Sequence, residues 1–128
     1  MTRRMLTAVA DPNLDILSHC TGRMRTRKRN RPPSTFDAEI VFAAAARFDK
    51  AVEVNSRPER LDPPKRLLRL AVEAGCRVSI DSDAHAPGQI AWQPYGCDRA
   101  AACGVQIDSV VNSLEADALL AWAATHGA

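Results

Sequence analysis

The chain has 128 residues, of which 46% are hydrophobic and 25% charged, and a formal net charge of +2; this is the size and balance of one folded domain and argues against disorder along its length. No stretch reads as a signal peptide or a membrane span, so the expectation is a cytoplasmic protein with no membrane partner. The net charge is too small to demand a nucleic-acid partner by itself. The cysteines Cys20, Cys76, Cys97 and Cys103 form no Cys-x-x-Cys pair, which argues against a disulfide framework or a zinc knuckle.

In chain order, Thr2 to Ala10 reads as a helix closed by Asp11-Pro12-Asn13, followed by a short buried strand over Leu14 to Ser18. His19 stands at the end of that strand, before the turn-like Cys20-Thr21-Gly22-Arg23. Arg23, Arg25, Arg27, Lys28, Arg29 and Arg31 then crowd one segment that ends in Pro32-Pro33 and lacks periodicity, which predicts an exposed, self-repelling loop. Ser34-Thr35-Phe36-Asp37 resembles a capping box, and Phe36, Ile40, Ala43, Ala44 and Phe48 predict the apolar stripe of a helix ending near Asp49.

Ala51 to Asn55 reads as a second strand, with a polar loop over Ser56 to Leu61. Asp62 and Pro63 are read as N-cap and first-turn proline of a helix carrying Leu67, Leu68, Leu70 and Ala71 and stopping at Gly75. A third strand from Arg77 to Asp81 completes a β-α-β unit, so its strands should be parallel and its crossover right-handed. Pro87 to Cys103 predicts a helix with irregular portions around Pro94 and Gly96, and Leu114 to Thr125 a last helix with Leu119, Leu120 and Trp122 for packing. The fold class is therefore α/β, in one domain over residues 1–128, with no internal repeat.

The chemistry gathers at strand ends. Asp83 and His85 lie two positions apart beyond the third strand, on one side of an extended segment, and His19 ends the first strand. Parallel strands bring their C-terminal ends, and the loops that follow them, to one edge. His19, Asp83 and His85 are the candidate metal ligands, suited to a divalent ion such as Zn, Mn or Fe. Such an ion can turn water into a nucleophile near neutral pH and hold the oxygens of a phosphate ester. Arg23 is a candidate for phosphate oxygens, and Asn55 and Arg60 either line the cleft or fix the loop after the second strand. Arg25, Arg27, Lys28 and Arg29 are candidate nucleic-acid contacts, and a solvated loop is the plain alternative. His126 is assigned to a frayed tail. Cys20 is read as a buried packing residue, with a soft ligand or reactive thiol as alternatives.

Three stretches, Asp15-Ile16-Leu17-Ser18-His19-Cys20-Thr21-Gly22-Arg23, Val52 through Asp62, and Ser79-Ile80-Asp81-Ser82-Asp83-Ala84-His85, resemble in order successive motifs of the polymerase and histidinol phosphatase (PHP) family. The resemblance is closest to the PHP domain linked to bacterial family X DNA polymerases and its stand-alone relatives. It implies a distorted (β/α)7, TIM-like barrel that carries up to three metal ions at its C-terminal face and hydrolyses phosphoesters, with His19, Asp83 and His85 at ligand positions. Cys20 departs from the usual proline without touching a ligand. The family's opening His-x-His and other early ligands have no counterpart, since the only further histidine is His126. The expectation is thus roughly the C-terminal half of such a barrel, with a possible need for self-association or a separate N-terminal half.

The function so implied is metal-dependent phosphoesterase chemistry at DNA 3′ ends, exonuclease- or phosphatase-like. A small-molecule phosphatase acting on histidinol phosphate is one alternative. A nucleic-acid-binding remnant without catalysis is another, and for the phosphoesterase reading itself the missing early ligands leave open an inactive fragment.

Overall fold

Three parallel strands, in the order β1-β4-β5, organise the computed structural model, which describes residues 1–127. They are β1 (Ile16–Leu17), β4 (Ala51–Asn55) and β5 (Arg77–Asp81), and in between lie a short hairpin, β2 (Met24–Arg25) with β3 (Asn30–Arg31), and two helices, α2 (Ala38–Arg47) and α3 (Lys65–Ala74). Helix α1 (Thr2–Ala10) precedes the sheet, while α4 (Gln93–Ala102) and α5 (Ala116–Ala124) follow it, with short 3-10 turns at Pro87–Trp92, Ile107–Ser109 and Val111–Ser113. The α/β class and the parallel pairing of the β-α-β unit are as the sequence predicts.

The two faces of the sheet differ in chemistry. Leu17 and Val52 pack with Met5, Val9, Val41, Phe42 and Ala71 of helices α1 to α3. Val54, Val78 and Ile80 pack with Leu68 of α3 and Ala100 of α4. Because strand residues alternate, the other face carries Ile16, Ala51, Glu53, Asn55, Arg77, Ser79 and Asp81. Trp122 of α5 covers the base of that face against Ala51 and Val111, and its indole N–H donates to Asp49 O at 2.9 Å. Toward the C-terminal ends the face is polar and leads into the loops.

The edges of the sheet also differ. Beyond β5 a fourth parallel position is reduced to one bridge, Val78 with Val110. Asn112 extends it by side chain, accepting from the Ile80 N–H at 2.9 Å and donating to Ile80 O at 2.8 Å. The outer edge of β1 has no strand partner among the described residues. Lys50 is buried below it, and its ammonium donates to Leu14 O at 2.6 Å and Asp11 O at 3.2 Å, fixing the entry into β1.

Several local expectations need correction. The basic segment is not structureless, because Met24 pairs with Arg31 and Arg25 with Asn30, and the Thr26 hydroxyl accepts from the Arg29 N–H at 2.8 Å to close the turn. On α2 the buried face is Ala38, Val41, Phe42 and Ala45, whereas Ile40 and Phe48 are exposed. A helix made almost wholly of apolar and alanine residues marks no unique stripe, and α2 must meet both α1 and α3. The cap of α2 is Asp37, whose carboxylate accepts from the Ile40 N–H at 3.2 Å.

Asp62 is not a helix cap. Helix α3 begins after Pro64 without a side-chain cap, and the buried Asp62 carboxylate instead accepts from the Thr21 hydroxyl at 2.5 Å and the Thr21 N–H at 3.2 Å. The predicted stop is found, with Gly75 in the left-handed region at φ 85°. Pro94 and Gly96 lie within regular α4, since Pro94 falls in its first turn, and Gly96 lets the helix approach Ser56, whose hydroxyl accepts from the Gly96 N–H at 3.1 Å. Of the residues proposed to pack from the last helix, Trp122 is buried, Leu119 is half-buried and Leu120 is exposed. His126 is not frayed. Its ring lies edge-on to Trp122, with Nδ1 2.8 Å from Asp15 Oδ1 and Nε2 3.0 Å from Asp49 O. Among the described residues, no helix is long and apolar enough to cross a membrane.

Candidate functional site

The C-terminal ends of β1, β4 and β5 converge on a carboxylate-rich cluster. Glu53, at the centre of the buried strand β4, accepts from the His19 backbone N–H at 2.6 Å, and the same oxygen lies 2.8 Å from His19 Nδ1. A carboxylate can only accept here, so Nδ1 carries the proton and Nε2 presents its lone pair away from Glu53. His19 holds this place at φ 49°, a left-handed conformation that His and Asp adopt more readily than most side chains. Its side chain is 39% exposed, so the ring reaches the surface of the cleft.

Asp83 repeats the pattern at the end of β5, with φ 52°. Arg60 Nε donates to its carboxylate at 3.2 Å, and His85 Nδ1 lies 2.8 Å from Asp83 O and 3.9 Å from Asp83 Oδ1. The carbonyl contact is shorter than the 3.2 Å from Arg57 Nη1 to the same nitrogen. That assigns the proton to Nδ1 and leaves Nε2 of the exposed His85 ring free. Arg57 is itself held over the Trp92 ring, 5.4 Å from the centroid.

Asp81 joins the two groups. It points from the same sheet face as Glu53 and Asn55, and burial, followed by its hydrogen bond to Glu53 and the charges of Glu53 and Asp83, pushes its carboxyl up to about 8. Asp81 therefore keeps its proton near neutral pH between the charges of Glu53 and Asp83, and those two charges favour a cation beside them. Among the described residues, no three His, Cys, Asp or Glu side chains are gathered as a ready metal-binding group: Asp83 lies beside His85, while His19 pairs with Glu53. By residue type the donors nonetheless fit a divalent ion, with imidazole nitrogens and carboxylate oxygens at neighbouring strand ends.

Around this centre the other candidates take different places. Asn55 is fully buried and fixes the loop, donating to Glu53 Oε1 at 3.3 Å and accepting from the Arg57 N–H at 3.0 Å. Arg23 Nη1 donates to Arg60 O at 2.9 Å and Leu61 O at 3.3 Å, while Arg60 Nη1 donates to Arg23 O at 3.4 Å. These arginines therefore strap the first loop to the second. Arg25, Arg27, Lys28 and Arg29 are all exposed on the hairpin. Cys20 is buried, and burial, with Asp62 and Glu53 nearby, raises its thiol well above the ordinary range, so it is a protonated packing group.

Glu53, Asp81, Arg57 and Asp62 were not among the predicted site residues. The signal for Glu53 was present as a carboxylate in the middle of Ala51-Val52-Glu53-Val54-Asn55, all five of which are buried; a carboxylate placed so needs hydrogen-bond partners.

No protein-family model matches the chain. Over 83 residues, 65% of its length, it is 34% identical to a bacterial protein. That relative is the DNA polymerase/3′-5′ exonuclease PolX of Bacillus subtilis (strain 168). The aligned segment spans 14% of PolX, so the similarity concerns one part of a much longer protein.

Proposed function

We propose that the chain is part of a PHP-type, metal-dependent phosphoesterase that processes DNA 3′ ends. The observation that carries this reading is that the His19–Glu53 and Asp83–His85 pairs, with Asp81 interacting with both carboxylates, stand at the C-terminal ends of adjacent parallel strands. The similarity to a bacterial PolX supports it, as does the resemblance of the three strand-end motifs to the PHP domain of such polymerases. A sheet with helices α1 to α4 packed on one face, and an opposite face that is polar toward the C-terminal strand ends, also suits a segment of a (β/α)7 barrel, whose inner face lines the site.

His19, Asp83 and His85 are the residues that would hold a Zn, Mn or Fe ion. The ion, when bound, supplies an activated water and charge neutralisation for a phosphate ester. The protein's own part is orientation. Glu53 fixes the His19 ring and tautomer through Nδ1, the Asp83 carbonyl does the same for His85, and such outer partners sharpen the aim of ligating imidazoles. Arg60 and Arg57, now against Asp83 and His85, stand where guanidinium donors can receive phosphate oxygens.

The test is hydrolysis by the purified chain. A 3′-labelled DNA oligonucleotide and histidinol phosphate are each incubated with the metal-stripped protein, before and after adding Mn or Zn. Metal-stimulated release from the DNA 3′ end that disappears in Asp83→Ala is the expected result. Absence of metal-stimulated release from DNA overturns the DNA assignment. Release from histidinol phosphate alone makes the chain a small-molecule phosphatase.

A further inference from the structure

Away from the Asp83–His85 end of the site, four cations surround one recess of about 440 Å³: Arg23 and Arg25 from the hairpin side, Lys65 at the start of α3, and Arg99 of α4, closed by Leu61 and Pro64. Among the described residues, no carboxylate lines it. Arg99 is only 9% exposed. Its Nη2 donates to Pro63 O, but its Nη1 is buried with no hydrogen-bond partner among the described residues. An arginine so placed is costly, because buried donors are nearly always paired and a buried charge needs a counter-charge. Burial lowers the Arg99 pKa and the neighbouring Arg23 charge lowers it further; Cys103 and the Asp62 charge oppose this, but the Asp62 carboxylate is engaged by Thr21. Like charges held together around an open recess are stabilised when an anion enters. Lys65 opens a helix of 10 residues, so the positive end of the α3 dipole adds to the same potential.

We infer that this recess is a phosphate-binding subsite, formed by Arg23, Arg25, Lys65 and Arg99, that takes the oxyanion of inorganic phosphate or of a nucleic-acid phosphodiester. Arg99 supplies the buried donor and Arg23 a half-buried one, while Arg25 and Lys65 supply the rim. The subsite needs no metal and stands independently of the phosphoesterase reading. Nor is it the diffuse attraction of a basic hairpin, since Arg27 and Lys28 do not line it.

The experiment uses the full, metal-stripped chain at constant ionic strength. Inorganic phosphate and a short single-stranded DNA oligonucleotide are titrated separately, with binding read by calorimetry and by backbone NMR shifts at Lys65 and Arg99. Each of Lys65→Gln and Arg25→Gln, both at exposed positions, should weaken binding about tenfold, the loss expected of one hydrogen bond to a charged group. Arg27→Gln and Lys28→Gln, which remove the same charge outside the recess, should leave it within about twofold. Arg99→Gln should abolish it, and its fold is checked by circular dichroism; were it unfolded, the two rim variants still decide. Saturation by inorganic phosphate identifies a free-phosphate site, and binding of the oligonucleotide alone identifies a backbone-phosphate site; either upholds the subsite. Binding of neither probe, or equal losses in the Arg27 and Lys65 variants, overturns it. Because no metal is present, that failure is separate from failure of the hydrolysis test.

Discussion

Replacement of Glu53 probes how the strand-end site is held together. In Glu53→Ala the left-handed His19 loses the acceptor for its backbone N–H at 2.6 Å and for Nδ1 at 2.8 Å, and Asn55 loses its contact at 3.3 Å. Hydrogen bonds to a charged group are worth about 1.5–3 kcal/mol each. Recovered solvation, and the return of Asp81 toward its ordinary ionisation once Glu53 is gone, offset part of that sum, which leaves a net loss of roughly 2–3 kcal/mol. Glu53→Gln keeps one acceptor and should lose about 1–2 kcal/mol. Urea unfolding of the metal-stripped protein, followed by tryptophan fluorescence, measures both, and the alanine variant should melt roughly 6–15 °C lower. Nitrogen NMR of the His19 ring gives a second readout: the proton sits on Nδ1 in the parent chain and distributes over both nitrogens in the variants. Unchanged stability together with an unchanged tautomer would refute the argument that Glu53 positions His19.

Other perturbations test other parts of the structure. Gly96→Ala drives a Cβ into Ser56 Oγ and to 2.9 Å from Ile80 Cγ2, so thermal melts should show a loss of about 1–3 kcal/mol from overpacking. Thr21→Val removes the hydroxyl donor to the buried Asp62 and should lower the urea midpoint by an amount equivalent to about 1–3 kcal/mol. His126→Ala removes the contacts to Asp15 and Asp49 and the edge of the Trp122 ring. It should cost roughly 1–2 kcal/mol and speed amide exchange in α5, whereas a frayed tail would show neither change.

The order of the main helices and strands was legible because its signals are local. Gly75 marks the end of α3, and the five-residue runs at β4 and β5 match the observed strands. That His19, Asp83 and His85 follow strand ends on one edge of the sheet was legible from parallel pairing, but not that His19 would pair with Glu53 and Asp83 with His85 instead of the three forming one group. What pattern did not show is long-range pairing. Nothing near Asp62 announces that its carboxylate will meet Thr21 rather than cap a helix, and His126 near the end of the chain gives no sign of the pocket made by Asp15, Asp49 and Trp122. The buried face of α2 was ambiguous because alanines carry little directional information. The hairpin escaped notice because its strands are two residues each and strongly basic, a composition with no hydrophobic alternation. Arg99 was invisible as a site residue, since its isolation becomes evident only when Pro63, Arg23 and Lys65 surround it.

His19, Asp83 and His85 are the proposed ligands of a divalent ion. Equilibrium dialysis of the purified chain against Mn and Zn, followed by elemental analysis of the protein fraction, measures this directly. The expected result is bound metal in the parent chain and affinity lowered at least about tenfold when His19→Ala and Asp83→Ala are combined. No metal above background, or equal retention in the double variant, would contradict it.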